Sequence, residues 1–252
     1  MKKKILGALL SVLLLAVIIV AMAPAQTVWP LIASKLPAKF QKVQTTNIQG
    51  SIWNPKIGKI RYYDLSVENV SADISVLSLL TGNLKAQINV NDFSLKLDGK
   101  LSANTNAIEV SNLNYELAAQ RFDPFMQFPV KSLKGNLTGS IEQASLQANG
   151  NWNNVQGIGS WQNAIIDYLE QSLALGNFEY QIKTDDTNNI ILTVVDNQGV
   201  LDLKGQLTLM PNRSYQLDVS TQTQLPTDLE NWIKNFGKLE NDRYRIQWSG
   251  KL

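Results

Sequence analysis

The sequence predicts a mainly β protein: one N-terminal transmembrane helix, then a large, curved, mostly antiparallel β-sheet domain with a few short helices. Three observations carry this expectation. Residues 5–23 form a run without a charge. From Phe40 onward, many segments alternate polar and apolar residues. Those segments are separated by short turn signals such as Asn197-Gln198-Gly199 and Pro211-Asn212. Alternation at 180° per residue marks half-buried strands, and short connections join antiparallel neighbours.

The N-terminal run follows Lys2, Lys3 and Lys4, and its nineteen residues are dominated by Leu, Val, Ile and Ala. A spanning helix needs about 20 apolar residues at a rise of about 1.5 Å each. Ile5, Leu9, Leu13, Val17 and Val20 are therefore expected to anchor the chain. Pro24 ends the run, and Trp29 follows at the outer interface, where indole rings are favoured. Lysines before the helix predict a cytoplasmic tip at 1–4, a membrane helix at 5–23 and a β-rich domain at 24–252 beyond the membrane. Ala23-Pro24-Ala25 also has the small-x-small arrangement of a signal-peptide cleavage site. The length of the apolar run favours an uncleaved anchor.

Strands are expected over 59–68, 87–97 (with a break at Asn91-Asp92), 108–118, 135–142, 145–151, 178–184, 190–196, 200–209, 214–222 and 244–251. Short helices are expected at Val28–Leu36, at Asp73–Leu80, and over Gln162–Leu173, where Ile165, Ile166, Leu169 and Leu173 have helical spacing. Thr227-Asp228-Leu229-Glu230 reads as a capping box, with Thr227 as cap and Gly237 as the stop.

An apolar-x-Gly-x-apolar motif recurs around Gly50, Gly82, Gly99, Gly135, Gly205 and Gly250. In a strand, each glycine would share the inner face with its apolar neighbours. The gap would let the sheet curl, or would line a groove for an apolar chain such as a lipid tail.

Composition narrows the chemistry. Of 23 Lys and Arg, three are Lys2 to Lys4, and the remaining 20 face 21 Asp and Glu. The exported part is near neutral, without the basic footprint of nucleic-acid binding. There is no cysteine and no histidine, so disulfides, thiolate metal sites and histidine-based triads are excluded. Asp185, Asp186 and Asp196 could pair for acid–base work or hold Ca²⁺, but the EF-hand spacing is absent and a polar hairpin turn with a solvated rim is the favoured reading. Gly157-Ile158-Gly159-Ser160-Trp161 lacks the lysine of a phosphate-binding loop. Trp53, Trp152, Trp161, Trp232 and Trp248 read as packing residues before they read as a binding surface. No catalytic, metal or cofactor site is expected.

Several segments together resemble protein N of the type II secretion system, the general secretion pathway of Gram-negative bacteria. They are the lysine-led anchor, Ile48-Gln49-Gly50-Ser51-Ile52-Trp53-Asn54, Leu133-Lys134-Gly135-Asn136-Leu137, Leu175-Gly176, Val195 to Gly205, and Phe236-Gly237 with Tyr244 to Leu252. The hairpin reads Asn197-Gln198-Gly199 where the family pattern has a glycine pair. The resemblance implies an accessory, non-enzymatic, single-pass inner-membrane subunit with its bulk in the periplasm. It would support export of folded proteins by binding or assembling other secretion subunits. A second reading is a lipid-handling protein like the AsmA-type proteins, which are also anchored, β-rich and rich in Gly-x-Leu. Side chains such as Ile88, Val90, Phe93 and Leu95 would then face a ligand.

Overall fold

The computed structural model describes residues 22–34, 42–63, 65–126, 130–148 and 150–251. The anchor residues Ile5 to Val20 and the lysines at 2–4 lie outside them. No helix among the described residues is long and apolar enough to cross a membrane. The chain divides into two compact units, Met1–Phe93 and Ser94–Leu252.

The first unit holds helix α1 (Ala25–Ala33) and strands β1 (Gln44–Gln49), β2 (Lys56–Tyr62), β3 (Leu65–Ile74) and β4 (Leu84–Asp92). These form an antiparallel meander in chain order. One row of direct cross-strand partners is Ile48, Ile57, Val70 and Val90, which gives the unit its apolar stripe. Helix α2 (Val76–Leu80) joins β3 to β4. Expected strand 59–68 is two strands here, because the chain turns at Tyr63, whose φ is 52°. Expected helix 73–80 is shorter, since Asp73 and Ile74 still pair with β4 and Ser75 caps the helix.

The second unit is almost all strand: β5 (Leu95–Ala103), β6 (Ala107–Ala118), β7 (Val130–Gln147), β8 (Trp152–Tyr168), β9 (Gln171–Thr184), β10 (Ile190–Gln198), β11 (Lys204–Leu209), β12 (Ser214–Gln222), β13 (Gly237–Glu240) and β14 (Arg243–Lys251). All pairings are antiparallel, and neighbours follow the chain until the end, where the order is β12, β14, β13. A 3-10 helix (Ala119–Phe125) lies between β6 and β7, and helix α3 (Thr227–Lys234) lies between β12 and β13.

Asparagine builds the irregularities. Asn112 and Asn163 sit inside strands with φ near +50°, a conformation that asparagine tolerates better than most side chains. The β8–β9 register shifts around Asn163, between Trp161 and Ala164. Opposite, Gly135 has φ 103°, and a Cβ there would meet the Gln162 carbonyl oxygen at 2.3 Å. The bulges let β7 and β8 run 18 and 17 residues without losing their ladder. This is why expected strands 135–142 and 145–151 are one.

The core is local. α3 buries Leu229 and Ile233 against Ala164, Leu173, Leu175, Phe178, Leu201 and Tyr244, with Trp161, Ile166, Tyr168 and Trp232 packed around them. Among the described residues, α3 is the only helix whose side chains join this cluster. The expected helix over 162–173 is a hairpin instead. Ile166 and Leu173 face each other across β8 and β9, and Leu169 turns the chain with φ 53°. An i, i+7 spacing fits two turns of helix, and it equally fits the two sides of a tight hairpin. The capping box also differs: Pro226 is the cap, without a side-chain bond, and Glu230 turns to Lys234 and Tyr244. Gly237 opens β13.

Candidate functional site

Asp185 and Ser160, two side chains that could carry chemistry, are engaged in holding a turn and a strand pair, and surfaces are the further candidates. Asp185 accepts hydrogen bonds from the backbone N–H groups of Thr187 and Asn189, and from the side chains of both. These bonds, the Asn189 backbone N–H above all, hold its carboxyl below the usual range. Asp196 is exposed on β10 opposite Glu179 of β9. The described residues contain no group of three or more Asp, Glu, His or Cys placed to hold a metal. Gly157 and Gly159 lie inside strand β8 and form no loop, and Ser160 shares a hydrogen bond with Thr138 at 2.9 Å.

The recurring glycines separate into two groups. Gly99, Gly135, Gly205 and Gly250 are in strands. Gly50 and Gly82 are not: Gly50 starts the β1–β2 turn and Gly82 follows α2. Gly250 lies beneath the Tyr215 ring. Of the tryptophans, Trp161 donates to the Lys134 carbonyl oxygen at 3.0 Å and Trp232 is in the core. Trp152 and Trp248 are exposed. Trp29 is half-buried on α1.

The first accessible feature is a set of open strand edges. Among the described residues of the first unit, β1 is paired only with β2. In the second unit, β13 covers Arg243 to Ile246 of β14 and, among the described residues, no more. From Gln247 to Lys251, β14 is paired with β12 on one side, and no described residue lies in a ladder on the other. Trp248 is half exposed on this stretch, its ring 6.0 Å from Phe236. Such an edge presents unpaired N–H and C=O groups to any added strand. Strand order across a sheet is not written in local periodicity, so this edge was invisible in the sequence.

The polar face next to it carries a charged groove of about 460 Å³. Arg245 bonds Asp218 (2.5 Å) and Glu240 (3.4 Å) there. Arg243 reaches from β14 to the Asp202 carboxylate at 2.6 Å, to the Asp202 carbonyl, and to the Ser220 hydroxyl at 3.1 Å. Arg243 and Arg245 hold the Asp202 and Asp218 carboxyls below the ordinary value.

The opposite face is apolar. One row of direct partners reads Leu113, Ile141, Gly157, Ile182, Leu192, Leu207, Leu217 and Trp248. Its aliphatic members are half-buried.

All-antiparallel pairing with few short helices places the chain in the class of mainly β proteins built on an open antiparallel sheet. A family model described as "Type II secretion system (T2SS), protein N" matches residues 41–247. The chain belongs to that family. It is also 22% identical over 259 residues to the type II secretion system protein N of Aeromonas hydrophila, across the full length of both chains. No solved structure matches it.

Proposed function

We propose that this chain is an accessory inner-membrane subunit of the type II secretion pathway. It is held by residues 5–23 with its β units in the periplasm, and it binds or assembles other secretion subunits without itself catalysing a reaction. The observation that carries the assembly role is the edge of β14 from Gln247 to Lys251, left open by the short β13. Strand addition there would satisfy the backbone groups of both partners and would need no deep pocket. The uncleaved anchor is supported at residues 23–25. Ala25 is buried, its N–H bonds the Gly50 carbonyl oxygen at 2.9 Å, and the Ile52 N–H bonds the Ala23 carbonyl oxygen at 3.0 Å. Cleavage after Ala25 would remove both bonds from the first unit.

Crosslinking in secreting cells tests the reading. A photoreactive residue at Ser249, on the open edge, is expected to form adducts with secretion subunits. The same residue at Lys183, in the middle of the sheet, is expected to form none. Absence of such adducts from Ser249 would overturn the assembly role.

The apolar row of the second unit favours a second reading, binding of lipid between the membranes. The sequence pointed to Ile88, Val90, Phe93 and Leu95 as side chains left exposed to such a ligand. Phe93 alone is fully exposed, Ile88 and Leu95 are half-buried, and Val90 is buried against its neighbours. Phospholipid co-purifying in a fixed ratio with the chain would support this reading.

A further inference from the structure

Helix α2 is inside out. Its serine is buried: Ser78 is 8% exposed, its hydroxyl donates to the Ser75 carbonyl oxygen at 2.7 Å and accepts the Lys85 N–H at 3.1 Å. Its aliphatic side chains face outward, with Val76 48%, Leu77 76% and Leu79 42% exposed. In water this is the unfavourable orientation, since the apolar stripe of a helix normally faces the core. The hydrogen bonds of Ser78 to the β3 and β4 ends nevertheless lock it.

The position of α2 in the first unit supplies the reason. The uncharged run 5–23 enters the fold at Pro24, which bridges to Ser51 in the β1–β2 turn. The same turn is tied to the strand end from which α2 hangs. The Trp53 carbonyl oxygen accepts the Ile74 N–H at 2.7 Å, and the Asn54 amide donates to the Asp73 carboxylate. α2 thus lies at the end of the unit where the apolar run arrives. That end also exposes Met22, and neither α1 nor α2 carries a charge. Lys56 and Lys85, both exposed, begin the strands that lead away from it.

We propose that the exposed Val76, Leu77 and Leu79 of α2 insert into the outer interface of the membrane that residues 5–23 cross, making α2 a second contact of the first unit with the bilayer. The proposal rests on the anchor reading. Apolar side chains set shallowly into the headgroup boundary, with lysines at the level of anionic headgroups, are the arrangement by which surface helices bind membranes. One anchor alone leaves a domain free to swivel. A second contact would fix the orientation of the unit and hold the outer edge of β1 at a constant height.

The chain has no cysteine, so single cysteines can be introduced without background. Full-length chain carrying Leu77→Cys, Val17→Cys or Thr187→Cys, labelled with an environment-sensitive fluorophore, is reconstituted into vesicles of phosphatidylethanolamine and phosphatidylglycerol. Quenching is read with lipid-borne nitroxide and with aqueous iodide. The label at 77 is expected to be quenched severalfold more by the lipid nitroxide than the label at 187, and severalfold less by iodide. Adding Leu79→Asp should reverse both effects at 77 while leaving position 17 unchanged. A label at 17 quenched by nitroxide together with a label at 77 open to iodide would overturn the α2 contact alone. A label at 17 without nitroxide quenching would overturn the anchor and the contact with it. Protection of position 77 from both quenchers would mean a protein contact and would also overturn the proposal.

Discussion

Tyr115 on β6 and Tyr180 on β9 join hydroxyls at 2.9 Å although two strands lie between them. Direct cross-strand partners place Tyr115 opposite Gly139, Gly139 opposite Gly159, and Gly159 opposite Tyr180. The two glycines leave a trough into which both phenols lie down. A Cβ at Gly159 would meet the Tyr115 hydroxyl at 2.3 Å and the Tyr180 ring at 2.6 Å. The pair clamps four strands, β6 to β9. Tyr115→Phe or Tyr180→Phe should each cost about 1–2 kcal/mol, because each leaves a half-buried hydroxyl without its partner. The double variant should cost less than the sum. Gly159→Ala should cost about 1–3 kcal/mol by forcing the rings apart. Urea unfolding of the four variants checks this, and strictly additive tyrosine losses would mean that the hydroxyls do not cooperate.

The same pair predicts an alkaline effect. Burial pushes both phenols above their ordinary value, and for Tyr180 the bond to Tyr115 adds to the rise. Groups whose proton is held more tightly in the folded chain contribute fully below the unfolded value, here about 10. That contribution is lost as the pH rises beyond it. Stability should therefore fall above about pH 10, and the Tyr115→Phe/Tyr180→Phe chain should lose less over the same interval. Thermal midpoints of both chains through the alkaline range measure the difference, and parallel curves would refute it.

Arg243 gives the acid counterpart. It ties β14 to the turn before β11 through Asp202 and to β12 through Ser220. Lysine cannot reproduce a guanidinium fork that serves two residues at once. Arg243→Lys should cost about 1–2 kcal/mol, more than expected for an exposed ion pair. Because Arg243 depresses the Asp202 carboxyl, its contribution is present above the unfolded carboxylate value, about 3.8, and is lost as the pH falls below it. The Arg243→Lys chain should show a shallower acid decline than the parent. Equal slopes in acid denaturation would remove Arg243 as the cause.

The sequence was legible where one periodicity competed with nothing. Ser214 to Gln222 alternates and is strand β12 with the expected bounds, and Ile190 to Asp196, legible from its β-branched residues and not from alternation, falls within strand β10. It misled where a hairpin imitates a helix, as at Ile166 and Leu173, whose contact crosses two strands. It also misled at Thr227. A threonine three residues before a glutamate fits a capping box, but Pro226 already fixes the backbone in the extended cap conformation, and Glu230 finds Lys234 and Tyr244 closer. The open edge of β14 and the inverted α2 depend on which strand lies beside which. Local pattern holds no record of that.

Trp232 provides the last prediction, and it runs against the usual penalty for shortening a core aromatic. Its ring packs edge-on against Tyr168 and Phe236, with centroids 6.0 and 5.8 Å away. Its indole nitrogen is buried and has no hydrogen-bond partner among the described residues. A buried donor without a partner costs about 1–3 kcal/mol. Trp232→Phe deletes that donor along with part of the ring, so the two effects oppose each other and the net change should stay within about 1 kcal/mol. Trp232→Ala removes the ring contacts as well and should cost about 3–5 kcal/mol, comparable with the roughly 2–5 kcal/mol for Ile233→Ala. Ile233 is only 1% exposed at the centre of the same cluster. Guanidinium unfolding of the three variants separates the contributions. If Trp232→Phe proved as costly as Trp232→Ala, the indole N–H must have a partner and the account of this core would be wrong.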